Sequence, residues 1–141
     1  MEAKNRNSLA LAYIGDAIYE VYIREYLLNQ GLEKVNKLQK EATKYVSARG
    51  QADYLKKMIE DNFLTEDELQ IVMRARNHKT NSSPKNTDII TYKNATGLEA
   101  LIGCLYLEGN NDRIAEIMNY IKERLDVCFW KKCSGRSIEF W

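Results

Sequence analysis

Two apolar stretches of the sequence carry acidic residues at positions where a helix is expected to be buried. Between positions 9 and 23 the only charged residues are Asp16 and Glu20, which are four positions apart. In a helix this spacing places both carboxylates on one face. Glu99 is the only charged residue between positions 94 and 107. Because both apolar helices carry acidic residues, we predict that their surfaces meet at a polar site.

A divalent cation would explain why these carboxylates are tolerated. An ionised carboxylate is costly to bury unless a counter-charge accompanies it. Magnesium prefers carboxylate oxygens and water, and it requires neither cysteine nor histidine. Because such ions activate water and stabilise the leaving oxygen in phosphoryl chemistry, Asp16 and Glu99 would be enough to equip a nuclease. The alternative is that these acids pair with Arg or Lys or lie at a rim, and spacing alone does not decide.

The composition is that of one soluble globular domain. The chain has 141 residues, of which 45% are apolar and 29% charged. We find no signal-peptide pattern and no apolar run of about 18 residues, so a cytoplasmic protein without membrane contact is expected. The three cysteines lack CxxC or Cys/His spacing, which argues against a disulfide framework and a structural zinc site. A net charge of +1 means that any nucleic-acid site must be a local patch.

The periodicity of apolar residues predicts helices and no convincing strand. Asn7 or Ser8 can cap the first helix, and Gly31 can stop it. This helix is apolar nearly all round, which predicts a central, buried position. Thr65 with Glu68 fits a capping box. The helices are predicted at residues 8–29, 34–59 with a break near 48–50, 65–77, 95–107 and 112–125, with an irregular segment from about 78 to 94.

The segment LALAYIGDAIYE, which contains Tyr13-Ile14-Gly15-Asp16, resembles the ribonuclease III signature, in which an aromatic or apolar pair precedes Gly-Asp. It is still more similar to the Mini-ribonuclease III branch, whose members lack a double-stranded RNA-binding domain. The stretch TGLEALIG, at residues 96–103, resembles the second acidic motif of the family. Together the matches cover about residues 8–125 in the expected order. Three further stretches match the smaller branch: Val46-Ser47-Ala48 with Gln51-Ala52, Arg74-Ala75-Arg76-Asn77 with Lys79, and Ser83-Pro84-Lys85-Asn86-Thr87-Asp88.

The resemblance implies an all-α endonuclease domain, a helical bundle that forms a symmetric homodimer and cleaves double-stranded RNA with Mg²⁺, or with Mn²⁺ in its place. It also implies a role in maturing 23S ribosomal RNA precursors, with products that carry 5′-phosphate and 3′-hydroxyl ends. Asp16 matches the signature aspartate, and Glu99 matches the essential glutamate of the second motif. Both are therefore expected to be catalytic metal ligands. Glu20 is either a water-mediated ligand or a plain surface or dimer-face acid.

Three positions depart from the larger ribonuclease III enzymes. Leu9, Ala12 and Thr96 stand where those enzymes carry acids, and the smaller branch shares the departures at Leu9 and Ala12. How the metal is held is therefore left open. A catalytically silent relative that binds RNA or the ribosome is the first alternative, and a magnesium-dependent cleavage assay separates it from the enzyme. A helical protein-interaction module is the second, and it would not bind duplex RNA.

The chain has no room for a separate RNA-binding domain, so another element must hold the duplex. Residues 74–93 contain five Lys or Arg residues and one histidine against a single acid, Asp88. Double-stranded RNA is recognised through phosphates, 2′-hydroxyls and shape, which suits such a segment. A solvated surface loop is the alternative, and His78 is given no catalytic part. The predicted RNA-binding residues are Arg74, Arg76, Asn77, Lys79, Lys85 and Asn86.

Two further expectations concern packing and the C-terminus. Tyr13, Tyr19 and Tyr22 are expected to serve core and dimer packing, and a two-fold dimer suits the approximate two-fold symmetry of a duplex. Residues 1–125 are expected to form the ribonuclease III-like catalytic domain. Residues 126–141 hold two of the three cysteines and both tryptophans without clear periodicity. They are expected to be an expression-derived or poorly ordered tail, with a functional extension as the alternative.

Overall fold

The computed structural model describes residues 2–79 and 88–134, apart from the side chains of Lys44 and of residues 125–134. A short 3₁₀ turn at Ala3–Asn5 precedes six helices, and no strand occurs within these ranges. The predicted all-α class is therefore confirmed. The helices are α1 (Ser8–Asn29), α2 (Val35–Val46), α3 (Ala48–Glu60), α4 (Glu66–Arg76), α5 (Ile89–Leu107) and α6 (Asn111–Ser134). Across the part of the chain that the structure describes, no helix is long and apolar enough to cross a membrane.

Helix α5 occupies the centre of the fold. It packs against α1, α3, α4 and α6, and nearly every residue from Ala95 to Leu105 is buried. Helix α1 buries one side against α5, but Tyr13 and Val21 on its other side are 84% and 58% exposed. The prediction that α1 is buried all round was therefore wrong for this single chain. An apolar helix surface without a covering element is unusual in a soluble monomer and is typical of an interaction face.

The helix ends follow the predicted local signals. The Oδ1 atom of Asn7 accepts hydrogen bonds from the backbone N–H groups of Leu9 and Ala10 at the start of α1. After α1 the backbone of Gly31 takes a φ of +92°, a conformation that favours glycine. The Thr65–Glu68 capping box at the start of α4 is confirmed. The break between α2 and α3 falls at Ser47, just before the predicted position.

Two predicted boundaries were wrong. Helix α5 begins at Ile89 rather than near residue 95, because the Asp88 carboxylate accepts the backbone N–H of Thr91 and caps the helix there. Helix α6 continues to Ser134, past the predicted end at residue 125. Residues 80–87 and 135–141 lie outside the described ranges.

A buried ion pair fastens the beginning of α6 to α4. The Nε and Nη2 atoms of Arg113 donate to the two carboxylate oxygens of Glu68, each over 2.8 Å, and Nη2 also donates to the Phe63 carbonyl over 2.7 Å. Burial by itself would raise the pKa of Glu68, but the hydrogen bonds and charge of Arg113 outweigh it and lower that pKa. This contact joins the α3–α4 connection to α6.

Candidate active site

Two glycines allow the backbones of α1 and α5 to touch. A Cβ atom added to Gly15 would lie 1.7 Å from the carbonyl oxygen of Glu99, and one added to Gly103 would lie 2.0 Å from that of Leu11. No side chain fits either gap, so only glycine permits this approach. The contacts pair increasing numbers on α1 with decreasing numbers on α5, so the two helices are antiparallel. These contacts fix the register of α1 along α5.

That register places the Asp16 side chain beside the Glu99 side chain. Burial, the negative charge of Asp16, and the hydrogen bond that a protonated Glu99 makes with Asp16 together raise the pKa of Glu99 to about 9. Asp16 is exposed, whereas Glu99 is half-buried. The structure thus brings the two sequence-predicted acids together at one point of the α1–α5 crossing. Their catalytic and metal-binding roles stay predictions.

The donor set at this point fits a hard divalent cation. Among the described residues no Lys or Arg forms an ion pair with Asp16 or Glu99. Two adjacent carboxylates without a counter-charge repel one another, and a cation between them would reverse that repulsion. No group of three or more His, Cys, Asp and Glu side chains suited to a metal occurs in the described residues. The residues therefore fit an ion that takes two carboxylates from the protein and its other ligands from water and substrate, as magnesium commonly does.

Glu20, the third predicted ligand, has a different partner. Its Oε1 atom accepts a hydrogen bond from Nη2 of Arg24 over 2.8 Å, and the two residues form an ion pair along α1. The structure therefore gives Glu20 a counter-charge that no described residue provides for Asp16 or Glu99. Thr96, at the third departing position, donates its hydroxyl to the Tyr92 carbonyl over 2.9 Å and is buried. It supplies no acid to the site.

The tyrosines of α1 have separate environments. Tyr19 is fully buried, and its hydroxyl donates to the Tyr45 carbonyl over 2.9 Å. Burial is the main cause that raises the pKa of Tyr19. Tyr22 is half-buried and packs against the core. The expectation of core packing is confirmed for these two. Tyr13 is open to solvent in the single chain and is not a core residue, and its part in dimer packing stays a prediction.

The predicted RNA-binding residues divide into two groups. Arg74 is engaged within the protein: Nε donates to the Ser8 hydroxyl over 3.1 Å, and Nη2 donates to the Arg6 carbonyl over 2.9 Å. Arg76, Asn77 and Lys79 are exposed at the C-terminal end of α4 and just beyond it. The other two predicted residues, Lys85 and Asn86, lie outside the described residues.

Sequence reasoning missed the part played by glycine spacing. Gly15 was quoted only as half of a Gly-Asp motif, and Gly103 received no role. Both glycines belong to apolar stretches, where a small residue indicates that another helix packs closely. The sequence does not show which residues of that helix are contacted. Gln51 was named only as part of a family match, and no role was predicted for it. It is 1% exposed, and its Nε2 atom is the one buried side-chain N or O atom without a hydrogen-bond partner in the described residues.

Comparison with known proteins found a matching family, several relatives and a similar solved structure. The model of the ribonuclease III domain family matches residues 9–110, a range that includes both acids. The Mini-ribonuclease 3 of Enterococcus faecalis is 47% identical over 83% of this chain and 89% of its own length. That of Brevibacillus brevis is 51% identical over 79% and 82% of the two chains. A crystal structure of a protein from Fusobacterium nucleatum superposes with a TM-score of 0.75 at 38% identity, covering 84% of this chain and 93% of the other.

Proposed function

Since this chain belongs to the ribonuclease III family and is an endoribonuclease of its Mini-ribonuclease 3 branch, we propose that it cleaves double-stranded RNA at the Asp16–Glu99 pair. The observation that carries the proposal is the glycine-locked crossing of α1 and α5, which holds two carboxylates side by side without a described counter-charge. Such a site suits phosphodiester hydrolysis with 5′-phosphate and 3′-hydroxyl products.

Asp16 and Glu99 are the residues that would hold Mg²⁺, or Mn²⁺ in its place. The bound ion would supply nucleophile activation and stabilisation of the charge on the leaving oxygen. The contribution of the protein is to orient the two carboxylates. Because the backbone of Glu99 touches the residue before Asp16, neither acid can move along its helix axis without breaking the crossing.

The exposed end of α4 is the proposed RNA-binding surface. Arg76 and Lys79 present positive charge to solvent, and the exposed Asn77 can donate to phosphate or sugar oxygens. Lys85 and Asn86, in the segment that follows, are proposed to extend this surface. Contacts of this kind bind any duplex, so recognition would depend on shape and phosphate spacing rather than base sequence.

We further propose that the enzyme acts as a homodimer through the open face of α1. Tyr13, Ala17 and Val21 are all exposed and recur every four residues, so they form one apolar strip. A second copy of the same strip would cover it across a two-fold axis. The dimer would present two Asp16–Glu99 sites to the two strands of a duplex. Sedimentation of the purified chain tests this: a dimer that Val21→Glu converts to a monomer supports it, and a wild-type monomer overturns it.

The natural substrate is proposed to be a 23S ribosomal RNA precursor, which would place the enzyme in the cytoplasm. The test is incubation of such a precursor, and of an unrelated duplex of equal length, with magnesium or with EDTA. Defined magnesium-dependent cuts in the precursor support both reaction and substrate. Cuts in both RNAs at equal rates support the reaction and overturn the substrate choice.

The same incubation tests the role proposed for the Asp16–Glu99 pair. Duplex binding with no cleavage in magnesium or manganese would overturn that role.

A further inference from the structure

The guanidinium of Arg74 holds the beginning of α1 against the end of α4. Its Nε atom donates to the hydroxyl of Ser8, the first residue of α1, and its Nη2 atom donates to the carbonyl of Arg6. Ser8 is only 4% exposed, so this hydroxyl is not available to solvent. Arg74 itself is exposed. Two bonds from one rigid fork fix both the distance and the orientation of the chain segment that they join.

Arg74 lies where α1, α4 and α5 meet. Ala75, the next residue, is buried in a small cluster with Leu11, Ala100 and Cys104, which come from the other two helices. Leu11 is also the residue whose carbonyl contacts Gly103. The arginine therefore acts on the same part of α1 that sets its register along α5. Asp16 is eight residues beyond Ser8, which corresponds to about 12 Å along the helix.

We propose that Arg74 is a positioning residue, which fixes α1 and with it Asp16 relative to the RNA-binding end of α4, and that it is not a phosphate contact. This inference rests on the proposed function, because it assumes that Arg76 and Lys79 bind the duplex. A duplex bound by the end of α4 must bring a phosphodiester to Asp16 on a different helix. The link through Arg74 keeps the separation between those two places constant.

Arg76 provides the contrast within the same helix. It is exposed like Arg74, but its only described hydrogen bond is a weak one to the sulfur of Met73, over 3.6 Å. Its charge is therefore free to meet phosphate. The two arginines are two positions apart and point in different directions around α4, which allows one to serve packing and the other binding.

The first experiment compares R74K with the wild type and with R49K, a change at an exposed arginine of α3. Lysine keeps the charge but cannot reproduce the two-point fork. We expect R74K to bind duplex RNA with wild-type affinity and salt dependence, and to cleave about tenfold more slowly in single turnovers at saturating RNA, because a small misplacement of the reacting groups is costly. We expect R49K to bind and cleave like the wild type. A wild-type cleavage rate for R74K would overturn the proposal.

Charge removal provides an independent readout. R74Q should leave the slope of log affinity against log salt unchanged, whereas R76Q should reduce its magnitude by about 0.9, the value for one phosphate contact on duplex DNA. A slope reduced equally by both variants would identify Arg74 as a phosphate contact and overturn the proposal.

A double-mutant cycle between Ser8 and Arg74 tests the link without RNA. S8A and R74K should each lower the urea midpoint of unfolding, and the double variant should be little worse than R74K alone, because both changes remove one interaction. S8A with R76K serves as the control pair and should be additive. Additive effects of S8A and R74K would overturn the link itself. Coupling in this cycle without any RNA cleavage by the wild type would keep the link and reject the proposed function.

Discussion

Gly15 lies directly against the backbone of Glu99, so closely that a Cβ atom at residue 15 would stand 1.7 Å from the Glu99 carbonyl oxygen. The next residue along α1 is Asp16, whose carboxylate interacts with that of Glu99. The motif Gly-Asp is thus a packing residue followed by the proposed catalytic one. The contact made by the glycine determines which residue of α5 the aspartate meets.

Gly15→Ala should therefore damage both stability and activity. The added methyl group meets backbone rather than a flexible side chain, so α1 and α5 must separate, at a cost of about 3 kcal/mol. Cleavage should fall much further than RNA binding, because the acids separate while the end of α4 remains. The measurements are urea unfolding, duplex binding and single-turnover cleavage.

Gly31→Ala is the matched control for that variant. Nothing lies within 4 Å of a Cβ atom at residue 31, although its φ of +92° is strained for alanine. It should lose about 1 kcal/mol of stability and no activity. A Gly15→Ala protein as stable and active as Gly31→Ala would show that the close crossing is not required.

Asp16→Asn should keep the fold and duplex binding while lowering cleavage by orders of magnitude. The substitution preserves volume and removes the charge that would hold the metal ion, whereas the RNA-binding surface is untouched. Duplex binding in EDTA and cleavage in magnesium are the two measurements. Normal cleavage, or an equal loss of affinity and cleavage, would contradict the assignment of Asp16.

Without metal, the stability of the protein should fall as the pH rises from about 5 to 9. The folded-state pKa of Glu99 is raised from 4.5 to about 9, so Glu99 contributes stability below 4.5 that is lost as the pH rises through 9. Urea unfolding in EDTA at pH 5, 7 and 9 measures the effect. Glu99→Gln cannot titrate and should show a flatter profile, and Mg²⁺ should flatten that of the wild type. Parallel profiles for the two proteins in EDTA would contradict the prediction.

Glu68→Gln should destabilise the protein by about 3 kcal/mol at neutral pH, because it removes the buried carboxylate partner of Arg113 and leaves only the exposed Glu116. The side chains of Glu68 and Arg113 are 8% and 16% exposed, so solvent screens the pair little. Since the pKa of Glu68 is lowered, its contribution is present above the unfolded-state pKa and is lost as the pH falls through the folded-state value. The difference in urea midpoint between wild type and variant should therefore shrink in acid. Glu66→Gln, an exposed acid of the same helix, should have no such effect.

Neutralising Arg76, Lys79 and Lys85 together should weaken duplex binding without slowing single-turnover cleavage at saturating RNA. Contacts made equally in the ground and transition states change affinity more than the chemical step. The salt slope should fall by about 0.9 for each lost contact, with duplex DNA as the guide.

The control for that triple variant removes the same charge elsewhere. Lys37, Lys40 and Lys56 are exposed on α2 and α3, and their joint substitution by Gln should leave the salt slope nearly unchanged. Equal slopes for the two triple variants would mean that the duplex is bound elsewhere. A collapsed cleavage rate at normal affinity would instead place one of the first three residues in the catalytic site.

The sequence alone determined the features that depend on neighbours along the chain. The caps at Asn7 and Thr65 and the stop at Gly31 were predictable because each is a local hydrogen bond or a local backbone conformation. The start of α5 was missed although its cap, Asp88, is local too, because the polar residues before it read as a continuing loop. Asp16 and Glu99 were identifiable because charge in an apolar helix is a conspicuous departure.

Tertiary structure alone decided how those elements meet. Nothing in the spacing of Gly15 or Gly103 names the backbone that each contacts, since that depends on a helix more than eighty residues away in the chain. Arg74 and Arg76 are equivalent as sequence, yet only Arg74 is placed to reach Ser8. Tyr13 and Tyr19 both belong to an apolar helix, and only the packing of the other helices left one exposed and buried the other. Local chemistry fixes which groups are present, whereas contacts between distant segments fix which of them act together.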